Sequence, residues 1–126
     1  MQINELIDTK PIEFFDKPLI IDKVARKIIF SHFNRIKEGE ITVIENSAHI
    51  TFGETTANFP VKATIEVQNP RMYLDIVAKG LNGSADAFIK GWWTCDNLTN
   101  LVRIFTRNRD AANQFESGIA NLAIWV

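Results

Sequence analysis

Gly83-Ser84-Ala85-Asp86-Ala87-Phe88-Ile89-Lys90-Gly91-Trp92-Trp93 runs directly into Thr94-Cys95-Asp96-Asn97-Leu98. The spacing predicts a short helix over 84–90, which the next glycine ends. Gly91 to Thr94, with two bulky aromatics and a threonine, suits a brief strand. Asp96 is of the residue type that caps a helix N-terminus, and Leu98, Leu101, Val102 and Phe105 follow at helical spacing. A helix from Asn97 to about Thr106 is therefore expected, with these four facing inward. Helix, strand and helix in close succession point to an α+β chain. The block reads as a structural signature rather than a centre of chemistry.

Upstream, Asn69 is placed as an N-cap and Pro70 as a first helical residue. Met72, Tyr73, Ile76 and Val77 make the apolar stripe of that helix, Gly80 closes it, and Leu81-Asn82-Gly83 reads as a turn. Further back, Val61 to Val67 alternates as a half-buried strand does, and Gly53 to Pro60 is a polar loop. Glu40 to Glu45 and Ala48 to Phe52 flank Asn46-Ser47, which is the pattern of a hairpin. From Leu19 to about Lys37 the spacing is helical, with Ile20, Ile21, Val24, Ala25, Ile28, Ile29, Phe33 and Ile36 on the core face and Gly39 as the stop. Asp16-Lys17-Pro18 reads as the start of this helix, with Phe14 and Phe15 beneath it. At the other end, about Asp110 to Val126 is again helical in pattern, with Ala111, Phe115, Ile119, Leu122 and Val126 on one stripe. That apolar stripe is a candidate contact for a partner or for further chain.

A chain of 126 residues with 46% hydrophobic and 23% charged residues is one domain able to bury a core without disulfides. Its net charge of −1 lacks the basic footprint of a nucleic-acid binder. The single cysteine, Cys95, forms no internal disulfide, which fits a reducing cytoplasmic setting, and it reads as a small packed residue. No apolar run reaches the roughly 18–20 residues of a membrane span, and no secretory signal is visible at Met1-Gln2-Ile3-Asn4-Glu5. Membrane contact, if made, is peripheral.

Residue by residue, no catalytic or metal site emerges. Gly80-Leu81-Asn82-Gly83 lacks the third glycine and the strand-to-helix order of a dinucleotide loop. His32 and His49 fall in different elements without ligands at metal spacing and read as structural. Glu66 with Lys62 reads as a surface pair on a strand. Thr106-Arg107-Asn108-Arg109 is a basic cluster whose cations suit a helix C-terminus. Lys23, Arg26, Lys27 and Lys37 share the polar arc of the first helix with Phe30, a combination that can dock on an anionic membrane. The same pattern also suits a solvated face with Phe30 covering a neighbouring element. Trp92 and Trp93 are candidates for an interfacial role, although at least one of them is expected in the core.

Taken together, these features resemble the N-terminal domain of cyclopropane-fatty-acyl-phospholipid synthases, the group related to mycolic acid cyclopropane synthases. The matching runs are Ile50-Thr51-Phe52-Gly53, Ile65 to Tyr73, Gly80 to Trp93, Asp96 to Val102, and Arg107-Asn108, roughly half of the chain. The glycine-to-double-tryptophan block is the specific part. Asp86 departs from the glutamate expected there, which leaves a family role for that acid in doubt. The resemblance implies a small mixed sheet with helices on one face, similar to sterol-carrier proteins, with a lipid-facing groove. It implies a whole enzyme that uses S-adenosylmethionine to add a methylene across the cis double bond of a phospholipid acyl chain. The methyltransferase domain is expected after residue 126, and none of its cofactor or catalytic residues has a counterpart here. By this resemblance the chain is a non-catalytic accessory domain at the inner face of the cell membrane. Its implied partners are the phospholipid surface, the catalytic domain of the same polypeptide and a possible second copy of itself. A stand-alone lipid carrier and a dimerisation or scaffold module remain as alternatives.

Overall fold

A computed structural model describes residues 20–109. The readings placed on 1–19 and on 110–126, including the stripe Phe115, Ile119, Leu122 and Val126, lie outside the described residues. The described elements are α1 (Ile20–Phe33), β1 (Gly39–Glu45), β2 (Ala48–Glu54), β3 (Lys62–Val67), α2 (Arg71–Lys79), α3 (Leu81–Ile89), β4 (Trp93–Cys95) and α4 (Leu98–Arg107). The chain is α+β, with four helices on a four-stranded mixed sheet of order β2-β1-β3-β4. β1 and β2 are antiparallel through the Asn46-Ser47 turn, whose two residues adopt positive φ as a tight hairpin requires. β3 lies parallel to β1, and β4 closes the far edge antiparallel to β3.

Period-two alternation decides which sheet face is covered. Ile41, Val43, Phe52, Ala63 and Ile65 are buried on one face, while Thr51, Lys62 and Glu66 are exposed on the other. Helices supply most of the rest of the core: Ala25, Ile29 and Phe33 from α1, Met72, Tyr73 and Val77 from α2, Ala87 from α3, and Leu101 and Ile104 from α4; Ile36, Phe59 and Val61 from connecting segments and Trp93 from β4 complete it. On the open face, Lys62 pairs with Glu40 of the neighbouring strand at 3.7 Å, not with Glu66 along its own strand.

Several boundaries differ from those the sequence suggests. α1 ends at Phe33, and Gly39 opens β1 instead of stopping the helix. Ile20, Ile21 and Val24 are exposed while Asp22 is buried, so the inward face of α1 is turned from the expected one. Leu81-Asn82-Gly83 is the first turn of α3, not a loop; Gly80 alone, at φ 65°, makes the corner between α2 and α3. Only a residue without a Cβ takes that conformation at little cost. Asn97, not Asp96, caps α4 by accepting a hydrogen bond from the Asn100 amide. Asp96 instead accepts from the Thr64 amide at 2.7 Å and ties β4 to β3. α2 begins at Arg71 with Pro70 in the cap position, one residue later than expected, although Asn69 does accept from the Arg71 amide at 3.0 Å.

Two polar clusters fix the helices onto the sheet. Tyr73 donates its hydroxyl proton to Glu45, which also accepts from Arg26 Nε at 2.9 Å. Tyr73 is buried, and burial first, then Glu45, raises its phenol above the ordinary range. The hydroxyl therefore stays a donor, as a buried phenol must to satisfy the carboxylate. This links α1, β1 and α2 by side chains alone. Asn108, just past α4, accepts from the amides of Lys37 and Glu38 and donates to the carbonyls of Glu38 and Ile104. A buried amide with four partners holds the α4 C-terminus against the start of β1.

Candidate functional site: an apolar groove between the helices

The stretch from Gly83 to Trp93 lies beside an open groove of about 860 Å³. Its floor is core: Ile29 and Phe33 of α1, Ile65 of β3, Met72 and Ile76 of α2, and Leu101 of α4. One wall is α3, through Leu81, Ser84, Ala85, Phe88 and Ile89; the other is α4, through Leu98, Val102, Phe105 and Thr106, with Arg109 at its end. Trp93 sits at the join. It is 8% exposed, donates from its indole nitrogen to the Ser84 carbonyl at 2.9 Å, and packs edge-on against Phe88 with centroids 5.0 Å apart. The indole thus pins α3 to β4 and sets the width of the groove at that end.

Glycine makes the wall possible. A Cβ on Gly83 would collide with the backbone of Asp75, so α3 lies directly on α2 at that point. The close crossing directs Ala85, Phe88 and Ile89 toward the groove. Polar groups are sparse in it. Ser84 Oγ donates to the Leu81 carbonyl and Thr106 Oγ to the Val102 carbonyl, so both hydroxyls are satisfied within their own helices. Among the described residues, Arg109 is the one charged residue of the lining.

Chemistry of the acid–base or metal kind is not assembled here. Among the described residues, no three His, Cys, Asp or Glu side chains stand where they would hold a metal ion. His32 is buried, and burial followed by the Arg35 cation keeps its imidazole below the ordinary range. His49 is exposed on β2. Burial pushes the Cys95 thiol up, which disfavours the reactive thiolate.

The residues first singled out are dispersed. Lys23, Lys27 and Lys37 are exposed. Arg26 is bound to Glu45 and lies 4.2 Å over the Phe30 ring. Phe30 is half-buried, edge-on to Phe52 at 4.9 Å and to Tyr73 at 5.8 Å, so it covers the sheet, the alternative reading of that aromatic. Trp92 is half-buried beneath the Lys90 ammonium at 4.3 Å, and its carbonyl accepts from the amides of Gln68 and Asn69. Of the seven, only Trp93 lines the groove.

Sequence reasoning passed over the groove walls. Leu98 and Val102 were expected inward but are exposed, as are Leu81, Phe88 and Ile89. The available signal was the breadth of the apolar arc on α4. Leu98, Leu101, Val102, Ile104 and Phe105 are more apolar residues than one sheet-facing stripe requires.

The chain matches no known protein-family model, no characterised protein and no solved structure.

Proposed function

We propose that this chain is the non-catalytic, lipid-engaging N-terminal domain of a cyclopropane-fatty-acyl-phospholipid synthase, and that its groove receives one acyl chain. The observation that carries the reading is the groove itself: an apolar trough of about 860 Å³, open at the surface, with both hydroxyls engaged by their own helices. Its volume lies within the roughly 300–1,000 Å³ of small-molecule sites. A methylene chain asks for apolar contact and no hydrogen bonds, and such a lining offers that. The four-stranded mixed sheet with helices on one face is compatible with a sterol-carrier-like fold, and the family-like block Gly83 to Trp93 contributes the α3 wall.

In this reading the chain performs no bond-making step. The methylene donor, S-adenosylmethionine, belongs to a methyltransferase domain following residue 126. The accessory domain would withdraw an acyl chain from the cytoplasmic leaflet and present its cis double bond to that partner. Titration with a fluorescent long-chain acyl probe tests this. Saturable binding of one probe per chain is expected, displaced by unlabelled cis-unsaturated acyl chains. Ala85→Trp, at an exposed helical position whose side chain enters the groove, should abolish it. Unsaturable binding, or equal binding by the tryptophan variant, would sink the reading.

A further inference from the structure

We propose that the groove mouth is a membrane-docking face: the exposed apolar rim of α3 and α4 seats on an anionic phospholipid bilayer, and Arg109 takes the headgroup phosphate. This rests on the acyl-chain reading above and adds the side from which the chain arrives. Among the described residues, eight large apolar side chains are exposed, and five of them, Leu81, Phe88, Ile89, Leu98 and Val102, are groove residues. Ile89 is 81% and Val102 62% exposed. Uncovered apolar surface gathered round the opening of an apolar trough marks an interaction site rather than scattered surface residues.

Charge decides what the occupant is. Arg109 lines the groove, is exposed, and has no ion-pair partner among the described residues. Nearby in the chain, Arg107 pairs with Glu38 at 3.1 Å and Lys90 with Asp75 at 3.4 Å, while Arg103 lies over the Phe59 ring and does not line the groove. A guanidinium is weakly hydrated and presents a planar fork of donors that matches phosphate oxygens. An apolar trough whose described lining carries one cation complements an amphiphile with an anionic head. The apolar rim continues that complementarity to the hydrocarbon just below the headgroups. The α1 face offers less: Arg26 is paired with Glu45, Phe30 packs on Phe52, and the exposed Ile20, Ile21 and Val24 do not line this groove.

The test is flotation of the whole chain with vesicles of mixed phosphatidylglycerol and phosphatidylcholine, or of phosphatidylcholine alone, with each variant's fold checked by circular dichroism. The wild-type chain should float with the mixed vesicles. Ile89→Asp with Val102→Asp should lower the bound fraction at least about tenfold, because two apolar contacts become charges at the interface. Arg109→Glu should weaken binding to mixed vesicles more than to phosphatidylcholine. Val102→Trp should strengthen binding, a gain that damage to the fold does not produce. Lys23→Glu with Lys27→Glu should leave flotation unchanged. Flotation lost only in the α1 pair, or unchanged in the rim variants, overturns the proposal. So does a rim-dependent dimer in sedimentation without vesicle binding, which would make a second copy the occupant. Acyl-probe uptake by a wild-type chain that never floats overturns the docking face and leaves the acyl-chain reading standing; failure of both assays removes both.

Discussion

His32 shows how one buried side chain ties this fold to pH. It is buried on α1, and desolvation, reinforced by Arg35, holds its imidazole below the ordinary range. The unfolded chain takes up a proton near the usual histidine value of about 6.5, whereas the folded chain resists it until a lower pH. Between those points the unfolded state binds more protons, so stability rises with pH. The contribution is complete above about 6.5 and is lost as pH falls toward the folded value. Urea midpoints at pH 7.0, 6.3 and 5.6 should therefore decline, and His32→Gln should flatten that decline. An unchanged slope in the variant would show that other groups carry the acid sensitivity. The helical spacing places His32 toward the apolar side of its helix, and it is buried there, but spacing does not state how completely a polar side chain on that side is covered. The same limit applies to Asp22, an acid that is buried on α1 while Ile20 and Ile21 just before it are exposed. Apolar spacing locates a face to within the breadth of its arc, and packing against one particular sheet then selects the rotation.

At the scale of elements, the α2–α3 corner is the feature that gives the groove its wall. Gly80 turns the chain and Gly83 lets one helix lie on the backbone of the other. Ordinarily Gly→Ala inside a helix stabilises by about 0.5–1 kcal/mol. At Gly83 the added methyl would overlap the Asp75 carbonyl, which is backbone and does not rotate away. Overpacking of this kind costs roughly 1–3 kcal/mol and exceeds the propensity gain. Gly83→Ala should thus be destabilising by about 1–2 kcal/mol, whereas Asn82→Ala on the exposed side of the same helix should change stability by less than about 0.5 kcal/mol. Chemical denaturation of the pair decides it; a neutral or stabilising Gly83→Ala would mean that the helices separate freely. The strands and most helices were legible because period two and the Asn46-Ser47 turn depend on near neighbours. The α2–α3 crossing was not, because it pairs Gly83 with Asp75 through space, and a glycine needed for close approach reads like one needed for a turn. Asp96 and Asn97 were exchanged for a related reason: both are capping types, and the Thr64 amide that claims Asp96 belongs to a distant strand.

Across the whole molecule, the sheet and the helix layer bury a continuous core, and α3 and α4 stand apart where that layer should close. A closed layer would be the more stable arrangement for the chain alone, since exposed Leu81, Ile89 and Val102 gain nothing from water. Among the described residues the layer is open at that point, and an apolar ligand that fills the opening must appear as stability. By linkage, a ligand that binds only the folded chain stabilises it by about 2.7 kcal/mol at one hundred times its dissociation constant, and by about 1.4 kcal/mol for each further tenfold excess. Thermal unfolding with a long-chain unsaturated acyl ligand should therefore show a midpoint that climbs by several degrees and keeps climbing with the logarithm of concentration. Ala85→Trp should remove that climb without lowering the unliganded midpoint, because its indole supplies part of the missing apolar contact. A ligand-induced rise of equal size in the variant would place binding elsewhere on the fold. A lowered midpoint in both proteins would mean that the ligand prefers the unfolded chain, and the groove would then be a packing feature without an occupant of this kind.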